Sequence, residues 1–132
     1  MAANKTSLSA GAIIREVLLE DAEVTAKTSK VFPVVTDQAI LPYILYRRAA
    51  MSQSPVKSGP GADTVQIEVI CFAETYQESV ELAEAVRAAL DNLRDVETND
   101  HTLQMRSCTL TDSEEAWQDD AYLQSLVFTV KI

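Results

Sequence analysis

The chain has 132 residues, 47% of them hydrophobic, with 20 acidic against 11 basic side chains and a formal net charge of −9. A single domain is the natural size at roughly 100–150 residues, and this apolar share is enough for a core and excludes a disordered tail. No run approaches the roughly 20 apolar residues that span a bilayer, and the acidic balance counts against nucleic-acid binding, which needs a cationic face.

The start, Met1-Ala-Ala-Asn-Lys-Thr-Ser7, leads into a helical pattern broken by Arg15 and Glu16, which argues against a secretory signal. From Ser9 to about Leu19 the apolar residues Ala10, Ile13, Ile14, Val17 and Leu18 recur at helical spacing, with Ser7 or Ser9 as cap. A short second turn through Ala22, Val24 and Ala26 follows. Val31-Phe-Pro-Val-Val35 reads as a brief extended piece, because Pro33 has no N–H for a central ladder.

Pro42 fixes the entry to a strand from about Tyr43 to Met51, rich in aromatic and branched residues. Ser54 to Asp63 holds much of the Gly and Pro and reads as a flexible hairpin loop. Its length is about ten residues, against roughly 2–5 for ordinary hairpins. Thr64 to Ala73 is the clearest strand, with Val65, Ile67, Val69 and Cys71 on one face. The other face begins with Gln66 and Glu68 and turns apolar at Ile70 and Phe72, so something other than water is expected to cover it. Thr75-Tyr-Gln-Glu78 is a capping box. The helix it opens carries Tyr76, Val80, Ala83, Val86 and Leu90 on one stripe and closes at Asn92. Thr102 to Leu110 and Tyr122 to Ile132 read as the last two strands.

The order helix-strand-strand-helix-strand-strand predicts an α+β domain over residues 1–132. Its expected form is an antiparallel sheet of about four strands with two helices packed on one face.

Chemistry-bearing patterns are sparse. His101, the single histidine, sits in a polar turn, Asn99-Asp-His101, and reads as exposed. Phosphate loops, nucleophile elbows and metal-ligand spacings are absent from the sequence, so it gives no enzyme, cofactor or metal signal. Cys71 and Cys108 fall in expected strands as small buried hydrophobes, which fits a reducing compartment. The segment Asp112-Ser-Glu-Glu-Ala-Trp-Gln-Asp-Asp120 reads as a solvated acidic loop, because its spacing is irregular for calcium and it lacks glycine. Trp117 within it reads as folding back over the end of the sheet, with an interface anchor as the functional alternative. Arg47, Arg48 and Lys57 concentrate positive charge on the hairpin, the two arginines pointing to opposite faces. A basic hairpin and an acidic segment on one small domain suit a head-to-tail contact between copies. The expected interface therefore comprises Arg47, Arg48, Lys57, Ile70, Phe72, Glu114, Glu115, Trp117, Asp119 and Asp120.

Leu41-Pro-Tyr-Ile44 entering a strand, Val69-Ile-Cys-Phe-Ala-Glu-Thr-Tyr76, and the Val86-Arg-Ala-Ala-Leu90 run resemble the tail-completion or tail-terminator proteins of long-tailed bacteriophages and prophages. The resemblance covers most of the chain. It implies a structural virion tail protein, assembled in the bacterial cytoplasm, that forms a ring of commonly six copies at the head-proximal end of the tail tube. Such a ring stops tube polymerisation and presents a surface to the head connector, so the implied partners are further copies, the tube protein and the connector. The rival readings are a head-side neck or joining protein and a small α+β ligand-binding or regulatory domain with a pocket between helices and sheet.

Overall fold

In the computed structural model the described residues are 5–34, 40–56 and 59–132, side chains at 54–62 excepted. Six strands form one sheet in the order β1-β2-β3-β6-β5-β4. They are β1 (Val31–Pro33), β2 (Tyr43–Val56), β3 (Gly59–Ala73), β4 (Leu93–Glu97), β5 (Gln104–Gln118) and β6 (Ala121–Lys131). A 3-10 turn, Ser7–Ser9, opens into helix α1 (Ala10–Glu20), followed by α2 (Ala22–Lys27) and, after β3, α3 (Tyr76–Leu90).

The α+β class stands, but the sheet expected from the sequence is corrected from four antiparallel strands to six mixed ones, and the helices from two to three. The short piece at Val31 is a true strand, parallel to β2: Ile44 donates its N–H to the Lys30 carbonyl at 2.8 Å and Val34 donates to Tyr46 at 2.7 Å. Strand β4 escaped notice because Leu93-Arg-Asp-Val-Glu97 is largely polar and, at the sheet edge, buries little. Helix α2 is short but firmly begun, since Asp21 Oδ1 accepts the N–H groups of Glu23 and Val24, each at 3.0 Å. The acidic stretch 112–118 is not a loop; it is the outer half of β5, paired with β6. Its residues are all exposed, so nothing in their polarity marks a strand. The reversal between β5 and β6 takes only Asp119 and Asp120, at φ 52° and 60°. Two positive φ values in a two-residue link are the mark of a type I′ hairpin turn.

The β2–β3 ladder also runs further than expected, through Gln53↔Asp63 and Ser54↔Ala62 to Val56↔Gly59. The tip of the expected loop, including Lys57, lies outside the described residues.

Both α1 and α3 pack on one face of the sheet, over Val65, Ile67, Val69 and Cys71 of β3 and Leu126, Phe128 and Val130 of β6. The stripe that α3 buries is Ser79, Leu82, Ala85, Val86, Ala89 and Leu90, so of the expected stripe only Val86 and Leu90 are buried. Several alanines made both stripes plausible from spacing alone. The capping box forms with a small change: Thr75 Oγ1 accepts the Glu78 N–H at 3.2 Å, while Glu78 Oε1 accepts from Glu74 at 3.3 Å. The sheet curls away from the helices. On the far face Leu45, Ala121 and Ser125 are 7%, 6% and 9% exposed although no helix among the described residues covers them, which marks that face as the concave one.

Phe128 is fully buried at the centre of the core. Phe128→Ala should cost about 3–5 kcal/mol by leaving a cavity. Urea unfolding would show this as a lower midpoint at unchanged slope.

Candidate assembly interface

Strand alternation sorts the expected interface residues onto two faces. On the concave face, away from the helices, ladder rows run Tyr43↔Phe72↔Leu123↔Ala116, then Leu45↔Ile70↔Ser125↔Glu114, then Arg47↔Glu68↔Val127↔Asp112. Arg47, Ile70, Phe72 and Glu114 therefore share one surface. Tyr43 stacks on Phe72 with ring centroids 4.6 Å apart, which extends the apolar strip to the end of the sheet. Burial raises the Tyr43 hydroxyl pKa, and the Asp119 charge adds to the rise.

Arg47 is already partnered within the chain. Its Nε donates to Glu68 Oε1 at 2.6 Å, while Ser125 Oγ donates to Glu68 Oε2 at 2.6 Å. Partial burial alone would raise the Glu68 pKa; the Ser125 and Arg47 hydrogen bonds and the Arg47 charge outweigh it and hold it below the usual glutamate value.

The other face carries Arg48, Glu115 and Trp117. Arg48 donates to the Leu8 carbonyl at 3.0 Å and ties β2 to the start of α1. Glu115 accepts the Tyr76 hydroxyl at 2.9 Å and the Gln124 amide at 3.0 Å, and these bonds keep it ionised below the usual glutamate range. Tyr76 meets Tyr122 edge-on at 5.9 Å, and Tyr122 is the cross-strand neighbour of Trp117. Trp117 does not fold back over the sheet: it is 60% exposed, as is 49% of Tyr76. The result is an aromatic patch at the end of the β5–β6 hairpin, with Asp119 and Asp120 at its tip.

Sequence reasoning missed Tyr43, Leu45, Leu123 and Ser125, which complete the concave strip. The alternation in Tyr43-Ile-Leu-Tyr-Arg47 was the available signal, since its odd positions continue the face of Ile70 and Phe72. It also missed the Tyr76–Glu115–Gln124 network, which joins residues 39 and 9 positions apart in the chain.

Among the described residues, no group of three or more His, Cys, Asp or Glu side chains could hold a metal ion. No described helix is long and apolar enough to cross a membrane. His101 is exposed in its turn, with Nδ1 2.8 Å from Glu97. Cys71 and Cys108 are buried free thiols. They share rows with Gln124 and Val130, six residues apart along β6, and so lie too far apart to bond.

Two measurements test these assignments. Glu68, with its folded pKa depressed, contributes stability above the ordinary glutamate pKa of 4.5 and loses it as pH falls through the folded value. Glu68→Gln should therefore lower the melting temperature at pH 7, with the difference from the native chain closing toward pH 3. Burial pushes the Cys71 thiol far above its usual pKa, and burial with the Asp91 charge raises Cys108 to about 12. Both should resist a thiol reagent at pH 8 until the protein is unfolded; fast labelling of the native protein would contradict this.

Comparison with known proteins gives the context for these surfaces. No curated protein sequence matches the chain. A solved chain from the virion of a native gene transfer agent particle superposes with a TM-score of 0.79 at 16% identity, over 96% of this chain and 98% of that one. A second solved chain, 17% identical, superposes with a TM-score of 0.50 over 91% of this chain and 94% of its own. The family model of tail completion protein gp17 matches residues 12–132, from α1 to the end of β6, and so the chain belongs to that family of structural phage-tail proteins.

Proposed function

We propose that this protein completes a phage-type tail by closing the head-proximal end of the tail tube as a ring of copies. The observation that carries the proposal is the family match over residues 12–132. The likeness in fold to a chain of a gene transfer agent virion agrees with it. In this role one ring face stops addition of tube protein and the other meets the head connector, with assembly in the bacterial cytoplasm. The function lies in shape and symmetry, with no bond chemistry.

The two exposed surfaces suit such work. Exposed tryptophan and tyrosine at a hairpin end are the residue types that anchor interfaces. The concave strip offers a second, separate face. A head-to-tail contact through two different surfaces closes into a ring when the rotation allows.

Light scattering over a concentration series, with electron microscopy of the same samples alone and with growing tubes, tests the reading. Rings, free or seated on one end of tubes whose lengthening has stopped, are expected. Uncapped tubes of unchanged length distribution would refute it.

A further inference from the structure

We infer that neighbouring copies join edge to edge: residues 47–56 of β2 in one copy pair antiparallel with residues 109–118 of β5 in the next. The sheets then close into one barrel with the helices outside. This rests on the ring reading above and specifies its contact.

Among the described residues the sheet has two long open edges. Strand β1 pairs with β2 only at Ile44, Leu45 and Tyr46, and β4 pairs with β5 only between Gln104 and Cys108. Among the described residues, 47–56 and 109–118 have no strand on their outer side, so the two free stretches are ten residues each. Backbone groups on such an edge lack ladder partners. Two have found local substitutes: the Leu110 N–H donates to Asp91 Oδ1 and the Ser113 N–H to its neighbour Asp112, each at 2.9 Å.

The polarity is right. Each of the pairs β2–β3, β3–β6 and β6–β5 is antiparallel, so β2 runs opposite to β5. Rotation about a ring axis preserves strand direction, so the join is antiparallel. The faces also agree. Core-facing Ile44 turns its N–H outward to Lys30, and core-facing Cys108 turns its carbonyl outward to Asn92 at 2.8 Å. Residues sharing a strand face direct their backbone groups to the same side. The two edges therefore bond with helix face continuing into helix face.

The stagger decides for closure. For L-residues those same two bonds fix the layout: seen from the helix side with β3 running up, β2 lies left and β5 right. The free part of β5 is then the upper right edge and the free part of β2 the lower left. Within one copy Arg47 shares a row with Asp112; in the join it meets Gln118 of the neighbour, six residues higher. That is a rise of roughly 20 Å for four strands spanning roughly 19 Å. Copies stay at one height only if the strands tilt about 45°, close to the tilt of about 35–45° that closed barrels adopt. The tilt is to the right as seen from outside, the hand that right-handed strand twist gives a barrel. It does not depend on the number of copies.

Charge and side chains fit the same register. Arg48 comes opposite Trp117, a cation–π pairing, and Arg47 comes beside the Asp119–Asp120 turn. The concave face becomes the lining.

Disulfide trapping tests the register. With the bulge between Arg48 and Ala50 accommodated, Ser52 of one copy faces Glu114 of the next. They form a non-hydrogen-bonded pair with Cα atoms about 4.5 Å apart, within the range of about 4.4–6.8 Å that a disulfide bridges. Within one copy Ser52 shares a row with Ser107, so Glu114 lies seven residues further along β5, roughly 23 Å away. Mild oxidation of rings of the double variant Ser52→Cys, Glu114→Cys should give a ladder of covalent multimers on non-reducing gels, and neither single variant should. Rings without a ladder would overturn the edge contact and leave the ring standing; absence of rings and caps would overturn both. Met51→Pro gives an independent check, because it removes an outward N–H from the β2 edge. It should lower ring yield at least tenfold at unchanged monomer melting temperature, and a normal yield would overturn the join.

Discussion

Everything in this molecule hangs on the ten-row pairing of β3 with β6, from Thr64↔Lys131 to Ala73↔Tyr122. These two strands are the middle of the sheet, and they join two hairpins, β2–β3 and β5–β6, that would otherwise be separate marginal units. Their alternate residues supply the floor on which α1 and α3 sit. A slip of one residue would carry Val65, Ile67, Val69 and Cys71 to the concave face and Glu68 into the core. Such a slip is excluded by burial alone. The same register sets where each hairpin ends: β2–β3 overruns the centre at one end of the sheet and β5–β6 at the other.

What could be read from the residues follows that logic. Strong periodicity showed α1, α3, β3 and β6, because each buries a full stripe or face against the core. Weakly buried elements did not show. Strand β4 has no fully buried residue, and residues 112–118 of β5 are exposed on both faces, so their polarity resembles that of a loop. Strand β1 is three residues long and is defined by its partner. The residues expected at an interface were legible as a set of charges and exposed aromatics, but not as surfaces. Only the ladder shows that Arg47 shares a face with Phe72, and Arg48 with Trp117.

The polar network refines the electrostatic picture. A basic hairpin facing an acidic segment is too simple, since Arg47 is already held by Glu68, and Glu115 by Tyr76 and Gln124. These bonds fix side-chain geometry on both surfaces before any partner arrives, which lowers the entropy lost on contact. Among the described residues Glu114, Asp119 and Asp120 keep no such tie, and the two aspartates form the two-residue turn between β5 and β6.

The open strand edges carry a cost for the free protein. An unpaired edge invites any passing strand, and a monomer with two of them risks forming fibres. Here the exposed half of β5 and its turn carry Asp112, Glu114, Glu115, Asp119 and Asp120 with no basic residue among them. Two such edges repel each other, and the net charge of −9 keeps whole molecules apart. The acidic composition therefore acts as a gatekeeper that opposes the self-pairing of like edges and, in the join inferred above, leaves the edge of β2 as the permitted mate.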